Sequence, residues 1–184
     1  MRLFIALEIP EEARREIARS AAALEKDWGG GRLIPPENYH LTLVFLGEVP
    51  EFRTSEVIAA MEACPSPPPV ITVGGFGRFR QRGGDILWRQ IRGGNTLSSL
   101  QRRLCRELTR RGFVLEKREY SPHLTVARKV TLRGNELPET GEALFFSVPA
   151  MTLFRSRTGP SGAEYTPLRR VAFQNPDEPQ KELT

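Results

Sequence analysis

Tyr39-His40-Leu41-Thr42-Leu43-Val44-Phe45-Leu46-Gly47 is the stretch on which the reading of this chain turns, because its His-apolar-Thr-apolar unit returns at His123-Leu124-Thr125-Val126. The 184 residues contain only two histidines, and each opens such a unit. At this composition a given histidine is followed by apolar-Thr-apolar about 1% of the time, so both doing so is a roughly 1 in 10⁴ accident. Period-two alternation predicts a strand at each place, with His and Thr on one face and the aliphatic residues in the core. One strand histidine alone is more often structural. A duplicated imidazole-hydroxyl pair calls for a chemical reason.

Around these strands the pattern alternates between sheet and helix. Residues 2 to 9 read as a strand, and Pro10-Glu11-Glu12 opens a helix whose apolar stripe is Ala13, Ile17, Ala21 and Leu24, ending near Asp27 before Gly29-Gly30-Gly31. The first histidine strand spans about 39 to 46, and a second helix 51 to 63. After Pro65-Ser66-Pro67-Pro68-Pro69, strands are expected near 70 to 74, 77 to 80 and 86 to 91, with the glycine pairs 74/75 and 83/84 as turns or bulges. Asn95 is placed as the cap of a third helix carrying Leu97, Leu100, Leu104 and Leu108, stopped by Gly112. Strands at 143 to 156 and 168 to 174 follow the second histidine strand. The expected organisation is one α+β domain over 1–175, bilobal and pseudo-symmetric, with a flexible tail at 176–184.

The net charge is +5, and 23 of the 27 basic residues are arginine, which permits a polyanionic partner and suits bidentate phosphate contacts. No stretch of 18 apolar residues exists, so no membrane partner is expected. The alternating start lacks a signal-peptide core, and the isolated Cys64 and Cys105 read as reduced core thiols, so the expected location is the cytoplasm. No interface signal stands out, and the chain is read as a monomer.

Two histidines are too few for a zinc site, and no Cys-x-x-Cys is present, so no metal and no cofactor are expected. Neither a Gly-x-Ser-x-Gly elbow nor a Gly-x-x-x-x-Gly-Lys loop occurs. Paired imidazoles do suit general acid and base catalysis of in-line displacement at phosphorus, with His40 and His123 dividing the proton transfers. The hydroxyls of Thr42 and Thr125 can donate to the phosphate oxygens, where negative charge gathers.

These residues carry a family resemblance. Arg2-Leu3-Phe4-Ile5-Ala6-Leu7, the stretch from Pro36 to Gly47, Ser121-Pro122-His123-Leu124-Thr125-Val126-Ala127-Arg128, and Leu153-Phe154-Arg155-Ser156-Arg157 with Gly162 to Leu168 resemble the two-histidine (2H) phosphoesterases. Within that superfamily they resemble the RNA 2′,3′-cyclic phosphodiesterases formerly called 2′-5′ RNA ligases. The resemblance implies two mainly antiparallel sheets with helices outside and a central cleft. It also implies metal-independent hydrolysis of an RNA-terminal 2′,3′-cyclic phosphate to a 2′-phosphomonoester, with reverse 2′-5′ ligation as a side reaction. Partners would be RNA with such ends, or small cyclic nucleotides. His40 would donate the proton, His123 would activate water, and Thr42, Thr125 and Arg128 would hold the phosphate.

Three residues after Thr125, Arg128 would point away on a flat strand, so its role requires a bulge or a strand end. By the same parity Phe45 falls with Leu41 and Leu43 in the core, the alternative being a base-stacking surface. Arg155 and Arg157 are candidate RNA contacts or solvated edge residues, and Arg78-Phe79-Arg80-Gln81-Arg82 is a candidate rim. A module that binds RNA ends in the same cleft without turnover is the alternative to an enzyme.

Overall fold

The computed structural model describes residues 1–133, 137, 143–159 and 162–174. The expected tail therefore lies outside the described residues. In chain order the elements are β1 (Arg2–Glu8), α1 (Glu11–Ala22), β2 (Trp28–Leu33), β3 (His40–Glu48), α2 (Thr54–Glu62), β4 (Val70–Phe79), β5 (Asp85–Arg92), α3 (Gly94–Arg110), β6 (His123–Leu132), β7 (Leu144–Ser147), β8 (Ala150–Gly159) and β9 (Gly162–Ala172). They form two antiparallel sheets, β3-β1-β8-β9 and β2-β6-β5-β4-β7. Each sheet carries one histidine strand, and β3 meets β6 where the sheets approach.

The helices form where apolar residues recur at helical spacing. Ala13, Ile17 and Ala21 are buried on α1, which packs on β6. Leu97, Leu100, Leu104 and Leu108 are fully buried on α3, which touches β3 and β4 and so joins the two lobes. At roughly 2 kcal/mol per buried leucine, this stripe is a large part of what holds the lobes at fixed spacing. Arg89 adds a polar tie: its Nε donates to the Gly74 carbonyl at 2.7 Å and a terminal nitrogen donates to Ser20 on α1 at 2.6 Å, with the guanidinium 4.6 Å from the Phe76 ring centre.

Several boundaries differ from the sequence reading, each for a tertiary reason. Helix α1 stops at Ala22, and Trp28–Leu33 with its three glycines is a strand, paired to β6. Glycine disfavours strands in general, yet a Cβ on Gly31 would lie 2.9 Å from Val130, so here the neighbouring strand excludes a side chain. Residues 70–79 are one strand with an irregularity between Val73 and Phe76, where Gly74-Gly75 lie. Strand β9 begins at Gly162, not 168; Pro167 is accommodated because β9 is an edge strand with a register shift beside it. Helix α3 is preceded by Gly93, and Asn95 makes no capping hydrogen bond.

The irregularity in β6 at Lys129 is closely hemmed in by glycines. Lys129 adopts φ +56°, in the left-handed region, and lies between Gly31 (φ +130°) of β2 and Gly84 (φ +114°) of the β4–β5 turn. A Cβ on Gly84 would come within 2.5 Å of the Lys129 backbone, whereas one on Gly83, also at positive φ, would meet nothing within 4 Å. Gly84→Ala is expected to lower unfolding free energy by about 3 kcal/mol, combining overpacking with backbone strain, and Gly83→Ala by about 1 kcal/mol from strain alone. Equal losses in urea denaturation would show that the bulge is not clamped.

Candidate active site

Both histidine strands change face at the same place. In β3 the burial order is half-buried His40, buried Leu41, half-buried Thr42, buried Leu43 and Val44, then exposed Phe45. In β6 it is half-buried His123, buried Leu124, half-buried Thr125, buried Val126 and Ala127, then exposed Arg128. Two consecutive buried residues mark a β-bulge, seen in the register as Ile5 opposite Val44 but Ala6 opposite Thr42, and as Leu87 opposite Ala127 but Trp88 opposite Thr125. The extra residue restores Arg128 to the face of His123 and Thr125, meeting the condition that strand parity set for it. The same device corrects the core assignment of Phe45, which is 49% exposed.

The cleft between the sheets has a volume of about 290 Å³ and brings together His40, Thr42, His123, Thr125 and Arg128. All five residues singled out from the sequence thus line one cavity. Joining them are Arg2, Phe4, Asn38, Phe45, Ser156, Thr158 and Tyr165, none of which sequence reasoning placed there except Phe45 as an alternative. Alternation from Phe154 would have found Ser156 and Thr158 had the facing of β8 been known. Arg155 lies opposite Leu3, and neither it nor Arg157 lines the cleft. Among the described residues, no carboxylate lines this part of the cleft.

Each imidazole is held in the same manner. His40 Nδ1 lies 2.7 Å from the Asn38 carbonyl, and His123 Nδ1 lies 2.8 Å from the Ser121 carbonyl, two residues back in both cases. A carbonyl only accepts, so Nδ1 carries hydrogen in both rings, and Nε2 is left free to accept or, when protonated, to donate. Aromatic rings fix the planes: Phe4 and Tyr165 each lie 4.9 Å from His40, the latter edge-on, while Phe79 stands edge-on to His123 at 5.0 Å with Trp88 at 6.0 Å. Gly77 makes room for Trp88, since a Cβ there would meet the indole at 2.3 Å. The run containing Phe79 therefore supports His123 from behind. Across the lobes, Tyr120 donates to the Thr42 carbonyl at 3.1 Å; within the β3-β1-β8-β9 lobe, Asn38 Nδ2 donates to the Ala163 carbonyl of β9 at 3.1 Å.

Burial, together with the Arg128 cation and His123, pushes His40 from the ordinary 6.5 to about 4, although its carbonyl bond acts in the opposite sense. Burial raises the Tyr165 phenol, while Arg128 and Arg2 pull it back. A wider arm of about 620 Å³ continues past His123 and Phe45, lined by Phe79, Ile86, Leu115 and Tyr120 together with Glu116 and Glu119. Cys105 borders this arm, whereas Cys64 is buried as expected.

Fold and cleft define a two-lobed phosphoesterase architecture, and the chain belongs to the 2′-5′ RNA ligase superfamily, whose model matches residues 9–156. The RNA 2′,3′-cyclic phosphodiesterase of Thermotoga maritima is 30% identical over 184 residues, covering 95% of this chain and 96% of that protein. The Geobacillus stearothermophilus protein of the same name is 31% identical over 161 residues, covering 83% of this chain but 51% of its own length, so the chain spans about half of that relative. Among solved structures, E. coli LigT complexed with 3′-AMP superposes with a TM-score of 0.80 at 26% identity, covering 95% of this chain and 98% of that one. No helix among the described residues is long and apolar enough to cross a membrane.

A depressed histidine makes stability depend on pH. Between pH 6.5 and about 4 the unfolded chain takes up a proton at His40 that the folded chain refuses, so this contribution is complete above 6.5 and lost as pH falls toward 4. The loss attributable to His40 is expected to reach about 3 kcal/mol. His40→Gln should flatten the urea-unfolding free energy across that window by this amount; an unchanged slope would show that His40 titrates normally.

Proposed function

We propose that this chain hydrolyses RNA-terminal 2′,3′-cyclic phosphates to 2′-phosphomonoesters by paired histidine catalysis. The observation that carries the reading is the pair of imidazoles in one cleft, each with Nδ1 tied to the carbonyl two residues back and Nε2 free, beside Thr42, Thr125 and Arg128. The names of the Thermotoga and Geobacillus relatives support the substrate class.

In this reading His123 Nε2 takes a proton from water as the water oxygen bonds to phosphorus. The P–O3′ bond breaks on the opposite side, and His40 Nε2–H protonates the departing O3′, leaving a 2′-phosphate and a 3′-hydroxyl. Thr42 and Thr125 donate to the non-bridging oxygens, and Arg128 meets the charge that accumulates there. Burial keeps His40 neutral in the free protein, and the bound diester anion offsets the Arg128 cation so that His40 holds its proton in the complex. Phe45, exposed at the mouth of both arms, offers a stacking face for the terminal base. With a 5′-hydroxyl RNA end in place of the attacking water, His123 takes the proton of that hydroxyl as its oxygen bonds to phosphorus, the P–O3′ bond breaks, and His40 protonates O3′, joining the ends through a 2′-5′ linkage.

An oligonucleotide ending in a 2′,3′-cyclic phosphate, incubated in EDTA, should give a 2′-phosphate; a 3′-phosphate, or no turnover, would refute the assignment. His40→Ala and His123→Ala should each lower kcat by about 10²- to 10⁴-fold without loss of fold. The acid limb of kcat/KM, which reports the free enzyme, should lie near pH 4, well below an ordinary imidazole. A limb at 6 or above would exclude a buried neutral His40.

A further inference from the structure

The reaction at the histidines uses only one end of the cleft. On β1, Phe4 packs against His40, and Arg2 follows on the same face one strand repeat, about 7 Å, further out. Ser156 lies opposite Arg2 in the β1–β8 register, and Tyr165 lies opposite Ser156 in the β8–β9 register. Arg2, Ser156, Thr158 and Tyr165 thus form an outer wall that offers a cation and three hydroxyls and has no part in the proton transfers.

Some surface arginines are matched to carboxylates, as Arg53 is to Glu56, Arg111 to Glu107 and Arg169 to Glu62, while Arg2 and Arg128 are the arginines that line this cleft. Arg2 has no such partner among the described residues, and the carboxylate nearest in register, Glu48, is 3.4 Å from the terminal amine of Met1. A guanidinium left open in an arm of the cleft that no carboxylate among the described residues lines is suited to an anion. At an RNA end the second anion, after the cyclic phosphate, is the phosphodiester that links the terminal nucleotide to the one before it. The other arm of the cavity is a poor path for that phosphodiester, because Glu116 and Glu119 line it.

Building on the function proposed above, we propose that Arg2, with Ser156 and Tyr165, forms a subsite for this internucleotide phosphate, so that the protein selects RNA ends over free cyclic mononucleotides. The guanidinium takes the phosphate oxygens, and the hydroxyls complete its donor shell. The cyclic phosphate is thereby presented to His40 from the β1 side of the cleft.

The test is the ratio of kcat/KM for a dinucleotide ending in a 2′,3′-cyclic phosphate to kcat/KM for 2′,3′-cyclic AMP. Wild-type protein should favour the dinucleotide, less so as NaCl is raised, and R2Q should lower the ratio about tenfold or more, with R2K intermediate. An unchanged ratio in R2Q would overturn the subsite, as would an equal fall on both substrates in a variant with wild-type thermal stability. If R2Q fails to fold, Ser156→Ala serves instead, with a ratio lowered about threefold expected for one lost hydroxyl donor and an unchanged ratio counting against the proposal. Turnover of neither substrate by the wild-type protein would refute the proposed function alone. The subsite would then be read by calorimetry, as tighter binding of a 2′-phosphate-ended dinucleotide than of 2′-AMP, lost in R2Q; equal binding of the two by the wild-type protein would overturn it.

Discussion

A bulge just past the threonine of each histidine strand decides which side chains face the cleft. A flat strand has period two, and its side chains at odd spacing face opposite sides. Because Leu43-Val44 and Val126-Ala127 are both buried in succession, the strands change parity after the threonine and bring Phe45 and Arg128 back to the histidine face. Without the second bulge the cleft would hold two imidazoles and two hydroxyls but no cation at β6. Just beyond this bulge, a second irregularity at Lys129 is flanked by Gly31 and Gly84, which approach too closely for a Cβ, so the stretch that carries Arg128 is tied to the packing of β2 and the β4–β5 turn.

The two lobes use different surroundings to the same end. Both imidazoles are oriented by a carbonyl two residues back and by one edge-on aromatic ring, although those rings come from β9 for His40 and β4 for His123. The duplication is therefore one of geometry, carried by unrelated neighbours. Desolvation and the nearby Arg128 cation drive His40 toward neutrality.

Local signals made a good part of the fold legible. The helical stripe from Leu97 to Leu108 and the alternation around Leu41 and Leu124 have strong periodicity, and their burial follows it. The strands that were missed or cut short are those with locally contrary residues. Gly29-Gly30-Gly31 lacks strand propensity, and Pro167 interrupts β9, yet each is fitted by its neighbour: a bulged strand that excludes side chains in one case, an open sheet edge in the other.

By itself the sequence determined the pair of imidazole-hydroxyl units, their strands and the family they signal, because two histidines in a repeated pattern leave few chemical readings. It also posed the condition that Arg128 needs a bulge. Only the tertiary structure decided that the bulge exists, that Phe45 leaves the core, and that Arg2, Ser156, Thr158 and Tyr165 complete the cleft wall. The reason is physical: which face of a strand becomes a cleft depends on pairing with strands far away in the chain, and parity slips by one residue wherever two strands cannot keep equal pace.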